Sequence, residues 1–334
     1  LQALRGPDGI QVRRDLGAQP GGVDQHLAHA IALHLGLDFN RVQFTSDMLP
    51  ADILGLSIYR NDSGTFEFKP GPVFCQLLLA DEINRASPKT QSALLEAMEE
   101  RQVTVDGKTH PLPAPFMVLA TQNPIEQEGT YPLPEAQLDR FLVQVDIDYP
   151  DRDTERAILL ATTGLDRDRP HGVLDADSLI AAQRLVRAMP VGEGVTAAIL
   201  DLVRAARPGS AEAPGWLADT LVWGPGPRAA QALMLASRAR ALLDGRLAPS
   251  IEDVATLARP VLRHRMALTF AARADMVLCC AEEAARMLER VGVTPKLHYG
   301  SGDRIAAGTV FLEGRGPAAG LHLAWKVSQT LVEY

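Results

Sequence analysis

Cysteine is scarce in this chain. There are three in 334 residues: Cys75 inside an apolar run, and Cys279 beside Cys280. So few thiols, without metal-ligand spacing, exclude a disulfide framework and fit a reduced, cytoplasmic compartment. Long apolar runs are missing as well. None approaches the roughly 20 residues that a membrane-spanning helix needs, so no membrane insertion is expected. A basic excess is also lacking: 33 Lys and Arg against 41 Asp and Glu give a net charge of -8. That argues against nucleic acid as the main partner. No secretory signal pattern is visible, and the chain opens at Leu1 rather than Met, as a fragment would. What remains is an ordinary globular composition, 46% hydrophobic and 22% charged. Its length is enough for two or three domains with a sizeable core.

Residues 1–22 are rich in Gly, Pro, Arg and Asp and show no clear period, and no N-terminal strand is recognisable in residues 1–16. His26–Leu35 reads as a helix stopped by Gly36. Asn40–Phe44 reads as a short strand. The stretch 58–73 reads as a hairpin turning at Asn61-Asp62-Ser63-Gly64, and Gln102–His110 as a second, turning at Asp106-Gly107. Phe74–Ala80 is almost continuously apolar, the pattern of a parallel strand buried on both faces. A helix at Lys89–Glu100 and strands at Phe116–Ala120 and Phe141–Ile147 complete an α/β domain over 1–150 with a mainly parallel sheet. Residues 151–265 are helically periodic, with helices expected at 152–163, 177–188, 194–207, 228–243 and 250–264. From about 266 the pattern turns α+β, with a helix at 281–291 and a β-like stretch over Lys296–Leu312.

The chemistry begins where the Leu77–Ala80 strand delivers Asp81 and Glu82 side by side. Ligands of open α/β sheets gather at the carboxyl ends of the strands. In a nucleotide hydrolase the first carboxylate holds Mg²⁺ through water and the second polarises the attacking water. Taken alone, such a pair equally well caps the next helix. The neighbouring strand ends in Thr121-Gln122-Asn123, bringing an amide to the same edge that can report on the γ-phosphate; an Asn before Pro124 is otherwise turn chemistry. Arg140, leading into a strand, can reach a neighbouring subunit's phosphate, or simply pair with Asp139. Arg228 opens a helix and can close over the nucleotide from the helical side, or remain solvated.

Together, in this order, these segments resemble the MoxR-type AAA+ ATPases. Leu78-Leu79-Ala80-Asp81-Glu82-Ile83-Asn84-Arg85-Ala86 is similar to the Walker B segment of that family. The helix Lys89–Glu100, Ala120–Pro124 (sensor 1), Leu133–Phe141 (finger region), Phe44–Gly55 with Thr45 and Asp47, and the Arg228 region (sensor 2) match as well. The resemblance runs over about residues 26–265. It implies a P-loop-type α/β nucleotide domain followed by an all-helical lid, ATP and Mg²⁺ as cofactors, and a homo-oligomeric, hexameric ring with nucleotide between neighbours. It also implies chaperone-like maturation of a client protein, often with a von Willebrand factor A domain partner and in metal-cofactor insertion. The two hairpins resemble insertions that this branch places at the ring pore or face.

One segment departs from the pattern. The phosphate loop, G-x-x-G-x-G-K-[ST], falls on Ala18 to Gln25, with Gly21 its one defining match. Gly22 follows it. Ala18 and Val23 replace glycines, Asp24 stands where the lysine belongs, and Gln25 replaces the hydroxyl residue. Glycines let backbone N–H groups converge on phosphate, and the lysine neutralises β/γ charge. Exchanging Lys for Asp reverses that interaction, by about 4 kcal/mol per contact at 4 Å and an effective dielectric near 20. Two accounts compete: a non-hydrolysing pseudo-ATPase scaffold, or a sequence altered upstream of residue 26. The retained Asp81, Glu82, Asn123, Arg140 and Arg228 favour the second.

The last segment resembles a different family. Phe270–Ala274, Val277–Leu288, Ser301–Gly308, Gly316–Ala319 and Ala324–Leu331 are similar to ModD, of the quinolinate phosphoribosyltransferase type. The match covers part of that family's N-terminal domain and none of its catalytic barrel, leaving a phosphoribosyltransferase fragment as a remote functional reading. As a foreign fragment, residues 266–334 are expected to pack loosely on the lid or to be poorly ordered.

Overall fold

The computed structural model describes residues 9–14, 23–122, 130–147, 151–163, 172–214, 221–271, 275–290 and 293–315. The chain divides into two compact units, residues 1–185 and 186–334.

In the first unit the elements run β1 (Gly9–Arg14), α1 (Val23–His34), β2 (Phe39–Gln43), α2 (Pro50–Leu54), β3 (Gly55–Arg60), β4 (Thr65–Pro70) and β5 (Leu77–Asp81). A 3-10 turn at Ile83–Arg85 leads to α3 (Pro88–Glu100), β6 (Gln102–Val105), β7 (Lys108–Pro111), β8 (Met117–Gln122), α4 (Glu135–Leu138), β9 (Phe141–Ile147) and α5 (Arg152–Thr163). The helix α6 (Ala176–Ala188) crosses the division between the units.

Five strands form one sheet in the order β2-β5-β8-β1-β9, with every neighbouring pair parallel. The central β5 is buried along its whole length. Because strand side chains alternate between faces, Leu78 and Ala80 join one core with Leu94, Leu95, Met98, Val118 and Phe141. Leu77 and Leu79 join the other, with Ala28, Ala32 and Leu119. Each fully buried leucine contributes about 1.5–3 kcal/mol relative to leaving it exposed, so the layer that carries Asp81 is firmly held. The helix α3 starts where the Ser87 hydroxyl accepts the Thr90 N–H, with Pro88 at its first position.

The structure corrects one expectation for the N-terminus. Gly9–Arg14 is a strand, and it sits inside the sheet, parallel to β8 on one side and β9 on the other. Its sequence, Gly-Ile-Gln-Val-Arg-Arg, lacks the continuous apolarity of a central parallel strand. Backbone pairing with two neighbours, rather than local propensity, makes it a strand. Both hairpins are present, β3–β4 and β6–β7. Asp106 and Gly107 take φ of 50° and 73° at the second turn, the left-handed pair of a tight hairpin. At the base of the first, Gly55 has φ of 97°, and a Cβ there would stand 2.4 Å from the Lys69 carbonyl oxygen. No other residue fits that site.

The second unit holds α7 (Glu193–Ala205), β10 (Leu221–Trp223), α8 (Pro227–Leu243) and α9 (Ile251–Leu262). A 3-10 turn at Arg263–Arg265 leads to β11 (Ala267–Ala271), β12 (Met276–Val277), α10 (Ala281–Arg290), β13 (Thr294–Leu297), β14 (Arg304–Ile305) and β15 (Val310–Arg315). The lid helices lie where periodicity put them, to within about two residues at either end. For the described residues of 266–315 the expectation of a loose tail is overturned, while 316–334 lie outside the described residues. An antiparallel sheet runs β10-β11-β15-β13, so β10, before residue 265, is hydrogen-bonded to β11, beyond it. Leu288 of α10, Val293, Phe311 and Leu312 are buried. So are Arg263, His264, Arg265 and Met266 at the junction.

Burial also separates the thiols. Cys75 is fully buried, and loss of hydration pushes its thiol up to about 12. Cys279 and Cys280 are partly accessible. Since the thiolate is the nucleophile, a native-state titration with a thiol reagent at pH 8 should modify both of these quickly and Cys75 only after denaturation. Rapid labelling of all three would contradict the packing around β5.

Candidate functional site

The strand β5 ends in Asp81, and the chain then breaks sharply. Glu82 sits in left-handed backbone, with φ of 55° and ψ of 47°, before the Ile83–Arg85 turn. A non-glycine residue there is uncommon and held by its surroundings. Thr121, on β8 beside it, is the clamp. Its hydroxyl donates to Asp81 Oδ1 at 2.6 Å and accepts the Glu82 N–H at 2.9 Å. One buried side chain therefore fixes the carboxylate and the kink that follows.

Two residues of β2 complete the arrangement. Arg41 donates to Asp81 Oδ2 at 2.7 Å, and Gln43 reaches Glu82 Oε2 at 3.5 Å. Arg85, one turn on, pairs with the same Glu82 oxygen at 3.1 Å. Asp81 and Glu82 are 5% and 7% exposed. Taking such charges out of water is tolerable only with this much compensation. Arg41, Gln43, Arg85 and Thr121 were not among the residues that sequence reasoning marked as functional. The available signal was the two-residue spacing of Arg41 and Gln43, which puts both on the face of β2 beside Asp81. Their value depends on the register Gln43 opposite Asp81, which no local pattern reveals.

Replacing Thr121 with Val, nearly the same shape, should leave a buried donor and acceptor unmatched. The expected cost is about 1–3 kcal/mol, read as a fall in the urea midpoint, with Thr121→Ser close to wild type. Equal midpoints for all three chains would show that the hydroxyl holds nothing.

The other marked residues are placed as follows. Arg140 ends the loop into β9, and its guanidinium pairs with Glu99 of α3 at 3.0 Å. On the segment after β2, a hydrogen bond from Thr45 is the main cause that lowers the Asp47 carboxyl. Arg228 lies in the second unit, half-buried in the first turn of α8. The turn before it is tightly specified. A Cβ on Gly224 would stand 2.4 Å from the Ala206 carbonyl oxygen, and Arg207 donates to the Pro225 carbonyl at 3.1 Å. Asn123 and Ala18–Gly22 lie outside the described residues. Val23, Asp24 and Gln25 form the first turn of α1, where a phosphate-binding loop would meet its helix.

Among the described residues no group of three or more His, Cys, Asp or Glu could hold a metal on its own. Mg²⁺ does not need one, since it keeps several waters and takes one or two carboxylates together with substrate phosphates. Asp81 and Glu82 fit that demand, whereas the carboxylate of Asp24, by its charge alone, does not suit a triphosphate.

Comparison with known proteins places this geometry. A family model described as "ATPase family associated with various cellular activities (AAA)" matches residues 16–143. Chaperone MoxR1 of Mycobacterium tuberculosis is 40% identical over 262 residues, covering 77% of this chain and 68% of its own length. The chain belongs to the MoxR family of AAA+ ATPases. A crystal structure of a proposed ATPase from Cytophaga hutchinsonii has the same fold, with a TM-score of 0.72, 36% identity and 79% of each chain covered. The AAA+ α/β fold with a helical lid is thus established for this MoxR-family chain. The second resemblance holds too. A model of the quinolinate phosphoribosyl transferase N-terminal domain matches residues 253–334. The proposed pyrophosphorylase ModD of Rhodobacter capsulatus is 37% identical over 67 residues, which is 20% of this chain and 26% of ModD. No helix among the described residues is long and apolar enough to cross a membrane.

Proposed function

We propose that this MoxR-family chain binds and hydrolyses ATP with Mg²⁺ to drive chaperone-like remodelling of a client protein. The observation that carries the reading is the acidic pair at the end of a buried parallel strand, clamped by Thr121 on its neighbour. Asp81 would hold Mg²⁺ through water, and Glu82 would orient and polarise the attacking water. Bound Mg²⁺ supplies charge neutralisation for the transferring phosphoryl group. Asn123 and Arg228 would sense nucleotide state, and Arg140 would serve the neighbouring subunit of a homo-oligomeric, hexameric ring in the cytoplasm. Arg140 would then exchange Glu99 for phosphate, a trade that a half-exposed ion pair makes cheap. Partners of the von Willebrand factor A type, a role in metal-cofactor maturation, and the division into a nucleotide domain (1–150), lid (151–265) and ModD-like segment (266–334) belong to the same proposal.

Asp24 supports a second reading, a folded module that binds nucleotide weakly and acts as a scaffold. Steady-state ATP turnover by the full chain, against Glu82→Gln, separates the two. Loss of a general base costs about 10²–10⁴-fold, so the enzyme reading expects at least a hundredfold fall. Equal, background-level turnover for both chains would leave the scaffold.

A further inference from the structure

Asp81 has a partner that a metal-holding carboxylate does not need. The Thr121 hydroxyl already binds Oδ1, yet Arg41 places a full positive charge 2.7 Å from Oδ2. The two side chains differ in setting. The side chain of Asp81 is 7% exposed, whereas that of Arg41 is 32% exposed. A guanidinium so placed is a planar, bidentate donor that suits phosphate as well as carboxylate. It also repels any other cation that approaches the same oxygen.

We propose that Arg41 is the built-in counter-ion of Asp81, suppressing divalent-cation binding at the acidic pair until a polyanion draws the guanidinium away. The proposal rests on the reading of Asp81 as the carboxylate that holds Mg²⁺. Arg41 is then a positioning residue. Without nucleotide it neutralises Asp81, so the buried carboxylate neither lacks a partner nor captures free metal. With a triphosphate present, its charge moves to the phosphate oxygens and Asp81 becomes available. Cation and nucleotide binding are thereby coupled, and such a coupling is reciprocal.

The test is direct binding of Mn²⁺ alone to the full chain, followed by electron paramagnetic resonance of the free ion. Arg41→Gln should bind Mn²⁺ at least tenfold more tightly than wild type, while Arg41→Lys, which keeps the charge, stays within about threefold of it. Adding Asp81→Asn to Arg41→Gln should abolish the gain. If Arg41→Gln does not fold by circular dichroism, Arg41→Met carries the same expectation. A folded neutral variant with affinity equal to or weaker than wild type overturns the counter-ion role while leaving Asp81 as the metal carboxylate. A gain that survives Asp81→Asn shows that the metal sits elsewhere, and overturns the reading of Asp81 itself.

Discussion

A chain cut after Arg265 is expected to lose the second unit as a cooperative structure. The cut removes β11, β13, β15 and α10, and with them the buried Leu288, Val293, Phe311 and Leu312. At about 1.5–3 kcal/mol for each large apolar side chain, the loss is roughly 5 kcal/mol or more. That rivals the whole stability of an ordinary domain, about 5–15 kcal/mol. It would also strip β10 of its neighbour and bare a strand edge. At about 2–4 °C per kcal/mol for a unit of this size, the melting midpoint should fall by more than 10 °C, or the protein should be recovered as aggregate. Keeping residues to 275 should not rescue it, because β11 would then lack β15. Superimposable melts for the full chain and the 1–265 chain would show that the tail is a passenger. The expected outcome gives the joined families a physical basis. The phosphoribosyl transferase match begins at residue 253, inside α9, and the sheet β10-β11-β15-β13 runs across the boundary.

What could be read from the chain beforehand depended on how local each signal is. The run Leu77–Ala80 followed by Asp81-Glu82 carries its own meaning, because continuous apolarity marks a strand buried on both faces and the sheet's carboxyl edge collects ligands. Amphipathic spacing likewise exposed the lid helices. β1 was hidden because Gly9–Arg14 owes its strand to β8 and β9 rather than to its own residues. β10 was hidden because three residues are too few to show a period. The order of the tail's described residues, up to Arg315, was hidden for a related reason: a family boundary in sequence need not be a boundary in packing, and here the pairing of Leu221 with Leu268 crosses it. In the site, Asp81 and Glu82 were legible and their partners were not. Arg41 and Thr121 matter through parallel register, which joins residues 40 positions apart on either side of Asp81.

Replacing Asp253 with Asn is expected to destabilise the second unit by about 2–3 kcal/mol at neutral pH. Asp253 is 2% exposed and accepts from Arg246 at 2.7 and 2.8 Å, with Arg240 of α8 at 3.3 Å. It also accepts the Ser250 N–H at 2.8 Å, closing the capping box that starts α9. The Arg246 hydrogen bonds come first among the causes that hold this carboxyl well below its usual 3.8, and burial opposes them. A carboxyl lowered in the folded state gives stability that is complete above its unfolded value. That stability is lost as pH falls from there through the folded one. The gap between wild type and Asp253→Asn should therefore be widest near pH 7 and narrow below pH 3.8, as measured by urea unfolding at both. A gap unchanged with pH would assign the residue to capping alone. The consequence extends along the second unit, because Arg240, which pairs with Asp253, sits in the last turn of the helix whose first turn holds Arg228. If α8 is anchored by this ion pair, Asp253→Asn should fray the C-terminal turn of α8, at the far end of the helix from Arg228.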